Sequence, residues 1–328
     1  MQYRRLGKSG LQVSLLSFGS WVTFHKQIED NSADELMGMA YDAGINFFDN
    51  AETYALGESE KMMGRVLRKK GWDRTSYVLS SKAYFGWRKP NLPNQTGLSR
   101  KHLVEACHEA LQRLQTDYLD LYFCHRPDKN VPIEEVVWTM NHLMQQGKIL
   151  YWGTSEWSAQ EIMEAHMVAE RYRLIGPTME QPEYNMFHRE KMENEYLQVF
   201  RNVGLGTTIW SPLAAGVLTG KYNEGIPDGS RLAIKGFEWL AAKQLNEQRI
   251  EKVRQLTTIA NELGCSMAAL AIAWCANNTN VSTVILGATK AGQLTENLKA
   301  LEVLPLLSRE VMEKIDGVLQ NKPVLPEW

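Results

Sequence analysis

Three observations predict an α/β chain folded as a single-domain (β/α)8, or TIM, barrel. Short runs rich in β-branched and aromatic residues recur about eight times, each followed by a longer stretch with helical periodicity. That alternation is the pattern of βαβ units around a parallel sheet. No Gly/Ser linker, charge block or low-complexity tract divides the 328 residues, so residues 1–328 read as one domain. Finally, the runs close on polar or ionisable residues, as expected of a barrel that builds its site at the carboxyl ends of its strands.

In chain order the predicted strands are residues 13–19, 45–50, 77–82, 118–125, 149–155, 177–181, 206–211 and 281–287. Two of the intervening helices have readable starts. Ser99 ahead of KHLVEACHEALQRL and Ser158 ahead of AQEIMEAHMVAERY place a hydroxyl where the first amide donors need an acceptor. The widest irregular stretch, residues 214 to about 245, clusters Gly and Pro in GVLTGKYNEGIPDGSR after the seventh strand. A loop of that length reads as a lid over a cofactor.

Composition narrows the function classes. Hydrophobic residues make up 44% and charged residues 23% of the chain, enough to bury a sizeable core. A net charge of -2 argues against a nucleic-acid surface. The four cysteines, Cys107, Cys124, Cys265 and Cys275, lack CxxC spacing and disulfide density, which points to a reducing cytoplasm. No apolar run reaches the ~20 residues of a membrane span, and the opening MQYRRLGKSGLQVS lacks a signal-peptide h-region. No direct membrane insertion is expected.

The strand ends then suggest chemistry. INFFDN carries Asp49, VLSSK ends on Lys82, LYFCH on His125, YWGTS on Ser155, TMEQ on Gln181, and TTIWS on Trp210 and Ser211. Taken singly, Asp49 is a cap, Lys82 a surface lysine, and Tyr54 core or rim. Taken together they converge on one mouth, where a lysine closing a buried strand needs an anion, and Asp49 is available. A phenol titrates near ~10, and a nearby ammonium lowers that toward the working range. Tyr54 is therefore expected to serve as general acid, with Lys82 supplying the positive field and His125 orienting a carbonyl oxygen.

His102, His108, His142 and His166 fall on helices without HExxH spacing, so no metal is expected. A GxGxxG opening is also absent, so a dinucleotide must be held outside the Rossmann manner. Barrels bind phosphate with the loops after strands seven and eight, here WSPLAAGVLTGKY and ILGATKAGQLTENL. The latter offers Gly287 for close approach, Thr289 and Lys290 for phosphate, and a helix N-terminus. Trp210 is placed to lie against an aromatic cofactor ring. Two facing acids, as a glycoside hydrolase needs, are not apparent at the strand ends.

The stretches RRLGKSGLQVS, FFDNAETYALGESE, SSKAYFGW, DYLDLYFCHRPD, YWGTSEWS, EQPEYN, WSPLAAGVLTGKY and VILGATKAGQLTENLKAL resemble the aldo-keto reductase superfamily over nearly the whole chain. Within it, WVTFHKQI, KKGWDR, LSRKH, SRLAIKGFEWL and QNKP are most similar to the β subunits of voltage-gated potassium channels and their bacterial relatives. The resemblance implies NADPH-dependent reduction of a small carbonyl substrate by the tetrad Asp49, Tyr54, Lys82 and His125.

It further implies that Ser155 and Gln181 hold the carboxamide and that Trp210 stacks on the nicotinamide. Ser211, Pro212, Leu213, Ala214, Gly216 and Lys221 would line the diphosphate. Arg231, Thr289, Gln293, Glu296 and Asn297 would surround the adenosine end. Gly19, Ser20, Trp21 and Gln27 would reach the cofactor from the first loop, with Trp21, Tyr54, Phe85 and His125 facing substrate. Two departures stand out. His125 occupies a position that is Asn in the channel subunits but His in ordinary family reductases, which favours turnover. Glu156 replaces an Arg or Asn, bringing negative charge toward the nicotinamide. The likeness also raises a homotetramer and a channel partner, although the chain starts directly at the barrel without a channel-plugging segment.

Overall fold

The computed structural model describes residues 1–21, 30–236 and 238–325, except for the side chains of Arg231 and Lys243. The chain opens with an antiparallel hairpin, β1 (Tyr3–Arg5) and β2 (Gln12–Ser14), in which Tyr3 faces Ser14. Eight parallel strands follow: β3 (Leu16–Gly19), β4 (Phe47–Asp49), β5 (Val78–Ala83), β6 (Leu119–Cys124), β7 (Ile149–Thr154), β8 (Met179–Glu180), β9 (Gly206–Ile209) and β10 (Thr283–Leu286). They pair in sequence order and close where β10 meets β3, with Val284 opposite Leu16. The expected barrel is thus observed.

The helices around it are α1 (Asp30–Asp42), α2 (Glu58–Lys70), α3 (Arg100–Leu114), α4 (Ile133–Gln145), α5 (Ala159–Arg171), α6 (Leu197–Val203), α7 (Glu238–Gln244), α8 (Glu247–Glu262), α9 (Met267–Asn277), α10 (Ala291–Leu298), α11 (Ala300–Val303) and α12 (Arg309–Leu319). Both expected caps form. Ser99 accepts from the His102 amide, and Ser158 makes a reciprocal capping box with Glu161.

Alternation along each strand divides the core into two layers. Phe47, Leu121 and Phe123 point into the barrel with Val78, Met179 and Ile285. Their neighbours Phe48, Tyr122 and Cys124 face the helices, where the larger apolar cluster lies.

Two expectations change in detail. The first predicted strand breaks between Ser14 and Leu16: its early part turns back into the hairpin, and Leu6 and Val13 fill the barrel's lower mouth. Residues 214–245 are less irregular than expected. They hold 3-10 turns at Ala214–Thr219 and Arg231–Ala233 as well as α7, because AAGVL and EWLAAKQ bury apolar residues such as Val217, Leu218 and Leu240. Among the described residues no single helix is long and apolar enough to cross a membrane.

Candidate active site

The carboxyl ends of β4 and β5 bring Asp49 and Lys82 together inside the barrel. The fully buried Lys82 ammonium lies 2.7 Å from each Asp49 oxygen, 2.6 Å from the Asn50 carbonyl and 3.3 Å from the Tyr54 hydroxyl. Asp49 Oδ1 also accepts from Ser80 at 2.8 Å and from the Gln181 amide at 3.1 Å. A buried charge pair needs this surrounding hydrogen bonding to offset its desolvation. Tyr54 opens the turn Tyr54–Gly57 directly after β4, and His125 follows β6. Their ring centres lie 5.9 Å apart, and Phe85 meets His125 edge-on at 5.1 Å. Asp49, Tyr54 and His125 therefore share one pocket, with Lys82 beneath them.

The electrostatics differ from the expectation in one respect. Burial pushes the Tyr54 phenol well above its ordinary pKa, with the Asp49 carboxylate adding to the rise and Arg126 opposing it. The phenol is therefore not brought down toward neutrality, because burial and the Asp49 carboxylate outweigh the nearby positive charge. Burial also lowers the Lys82 pKa, with Asp49 opposing that shift. His125 is held well below its usual value by burial, then by Lys82 and Arg126. Its buried Nδ1 has no hydrogen-bond partner. At neutral pH the pocket therefore presents a protonated phenol and a neutral imidazole.

A cleft of about 820 Å³ runs from this pocket across the barrel mouth, within the size range of small-molecule sites. Asp49, Tyr54, Phe85 and His125 line its inner end with Gly19 and Trp21, and Ser155, Gln181 and Trp210 form its floor. Ser211, Pro212, Leu213, Gly216 and Lys221 line the cleft from the segment after β9. Gly287, Thr289, Gln293, Glu296 and Asn297 line it from the segment after β10.

Four predicted residues stand back from this surface. Lys82 acts from beneath through Asp49 and Tyr54. Ser20 is buried, donating its hydroxyl to the Asp49 carbonyl, and Ala214 is buried as well. Glu156, with φ at 61°, turns behind the floor. Its Oε1 accepts from the Trp210 indole at 3.0 Å and the Glu183 amide at 2.6 Å, and its Oε2 accepts from Lys191 at 3.0 Å. The Glu156 charge is thus compensated by Lys191, and its Oε1 braces Trp210. Gln27 and the Arg231 side chain lie outside what is described.

The sequence reading missed Thr53, Arg126, Thr219, Ser266 and the segment from Pro227 to Ser230, all of which line the cleft. Arg126 was within reach of the same strand-end argument, since it directly follows His125 in CHRPD. Among the described residues no three His, Cys, Asp or Glu side chains gather as metal ligands.

The donor set fits an elongated anionic dinucleotide. Two exposed lysines, Lys221 and Lys290, line the cleft from the loops after β9 and β10. At the inner end, Gln181 commits its NH2 to Asp49 and to Thr208 at 3.2 Å. Its side-chain oxygen is left to accept from a ligand amide. Ser155, donating to the Gln181 carbonyl at 2.9 Å, lies alongside.

The sequence model of the Aldo/keto reductase family matches residues 15–320. The chain is 53% identical over 328 residues to a "Probable voltage-gated potassium channel subunit beta" of Arabidopsis thaliana, covering 100% of this chain and 99% of that protein. A protein of the same name from Oryza sativa subsp. japonica is 53% identical over 324 residues, covering 98% of each. With the barrel and its polar mouth in place, the matched span shows that this chain belongs to the aldo/keto reductase family of oxidoreductases.

Proposed function

We propose that this protein reduces aldehydes or ketones to alcohols using NADPH, with Tyr54 as general acid. The observation that carries the reading is a protonated phenol 3.3 Å from Lys82 and beside a neutral His125, at the inner end of a cleft suited to a dinucleotide. When bound, the reduced nicotinamide supplies a hydride to the carbonyl carbon. Tyr54 gives its hydroxyl proton to the carbonyl oxygen as negative charge develops there. Lys82 then faces the phenolate and stabilises it, while Asp49 keeps the ammonium in place. His125 donates a hydrogen bond to the same oxygen and fixes the substrate's orientation. Ser155 and Gln181 are proposed to hold the carboxamide and Trp210 to cover the ring, braced by Glu156.

The direct test is fluorescence titration with NADPH and with NADH, followed by an aldehyde chase on the same sample. Tight NADPH binding with oxidation on the chase is expected, and no binding at all would overturn the reading. A second reading rests on the names of the plant relatives: a cofactor-sensing subunit docked on a potassium channel. Tight NADPH binding without oxidation, together with cofactor-dependent capture of a channel, would favour it.

A further inference from the structure

The inner end of the cleft carries a cation that the reduction chemistry leaves without a task. Arg126 lines the cleft beside Trp21, Tyr54, Phe85 and His125. Its Nη1 donates to the His125 carbonyl and to Ser155 Oγ, the latter at 3.3 Å. The guanidinium carbon lies 5.6 Å from the centre of the Phe85 ring. Nε and Nη2 engage no group among the described residues, and no described carboxylate lies within ion-pair distance of Arg126.

The charges around it do not cancel this cation. Lys82 and Asp49 neutralise each other at 2.7 Å. Tyr54 and His125 are uncharged at neutral pH. The pocket end thus holds one net positive charge, half-buried, anchored through one nitrogen, with two N–H-bearing atoms of a planar fork left over.

We propose that Arg126 is an anion-recognising group of the substrate site, so that this protein prefers carbonyl compounds carrying a carboxylate over uncharged ones. The preference in turnover rests on the reductase reading, whereas the anion site itself rests on charge and geometry. A guanidinium fork matches the two oxygens of a carboxylate. Anchorage on adjacent backbone and on Ser155 orients the fork before substrate arrives, reducing the ordering cost of binding. The flat Phe85 ring beside it suits a planar substrate such as an aromatic oxo acid.

The test compares kcat/KM for benzaldehyde with that for 2-, 3- and 4-carboxybenzaldehyde in the natural protein, Arg126→Met and Arg126→Lys. A charge-assisted contact predicts that at least one carboxylated isomer is favoured by ~10- to 100-fold. That ratio is expected to collapse in Arg126→Met and to return in part in Arg126→Lys, whatever happens to the rate with benzaldehyde. Arg126→Gln replaces the Met variant where the latter does not fold.

A calorimetric titration with benzoate and benzamide, with and without NADP+, reads the site apart from turnover. Benzoate is expected to bind at least ~10-fold more weakly to Arg126→Met, with benzamide unaffected. Equal ratios in natural and variant protein, or a fall in benzamide binding matching that of benzoate, would reduce Arg126 to a brace for the His125–Ser155 turn and overturn the proposal. Arg126-dependent benzoate binding without turnover of any aldehyde would sink the reductase reading and leave the anion site standing.

Discussion

Lys82 holds its position through three oxygen contacts of 2.7 Å or less, so its removal exposes what the pair costs. Lys82→Met leaves the Asp49 carboxylate buried with, among the described residues, only Ser80 and Gln181 as side-chain donors. Breaking a buried pair this way is expected to cost ~3–5 kcal/mol, readable in urea unfolding. The double variant Asp49→Asn/Lys82→Met is expected to lose less, since no charge is stranded. For chemistry, Tyr54→Phe is expected to lower the reduction rate ~100-fold or more while NADPH titration stays nearly unchanged. A matching loss of binding would make Tyr54 structural. The phenol stays protonated well above its ordinary 10.0 and the imidazole neutral well below 6.5. The reduction rate is therefore expected to show no inflection from either group between those values, and a bell centred near neutrality would reassign the acid. At this scale the sequence was informative where an apolar strand stopped at a polar residue, as at Asp49, Lys82 and His125. It was silent on the partners of Glu156, whose left-handed backbone goes with hydrogen bonds from Trp210, Glu183 and Lys191.

Individual elements are governed by what their neighbours allow, and two helix glycines separate that from intrinsic propensity. Gly64 in α2 faces α3 so closely that a Cβ would lie 2.5 Å from the Arg113 carbonyl oxygen. Gly317 in α12 faces open space, with nothing within 4 Å. Alanine favours a helix over glycine by ~1 kcal/mol, so Gly317→Ala is expected to stabilise by up to that amount. Gly64→Ala is expected to destabilise by ~1–3 kcal/mol despite the same propensity gain, because a backbone oxygen cannot rotate away. Thermal unfolding of both variants checks the opposite signs, and equal stabilisation would refute the α2–α3 contact. Strand existence was legible from runs of β-branched and aromatic residues, and helix starts from Ser99 and Ser158. The break between β2 and β3 was not, because LQVSLLSFG carries no Gly, Pro, Asn or Asp at the break to mark a turn. The 3-10 turn at Ala214–Thr219 was hidden by residues that adopt positive φ without being glycine, Ala214 and Ala215.

For the molecule as a whole, pH acts through acids buried far from water. Glu180 in β8 accepts from the Thr154 hydroxyl, and burial pushes its pKa from 4.5 up to about 8. Between those values the folded chain holds a proton that the unfolded chain releases, so stability falls as pH rises through that window. Glu180→Gln keeps the side chain neutral at every pH. Its melting temperature relative to the natural protein is expected to climb from pH 5 to pH 8.5, and a flat difference would refute the shift. The closed order of eight strands was readable because every βα unit repeats one grammar. The direction in which the first segment folds back was not, since it depends on contacts reaching across the chain: the Lys8 amide bonds the Gly204 carbonyl, and Arg4 reaches the Val281 carbonyl at 2.7 Å. That hairpin, with Leu6 and Val13 seated in the lower mouth, closes the rim opposite the cleft. A surface or carrier attached ahead of Tyr3 would consequently hold the protein by its sealed end, with the open mouth directed away from the support, so an immobilised preparation should admit substrate as freely as one in solution.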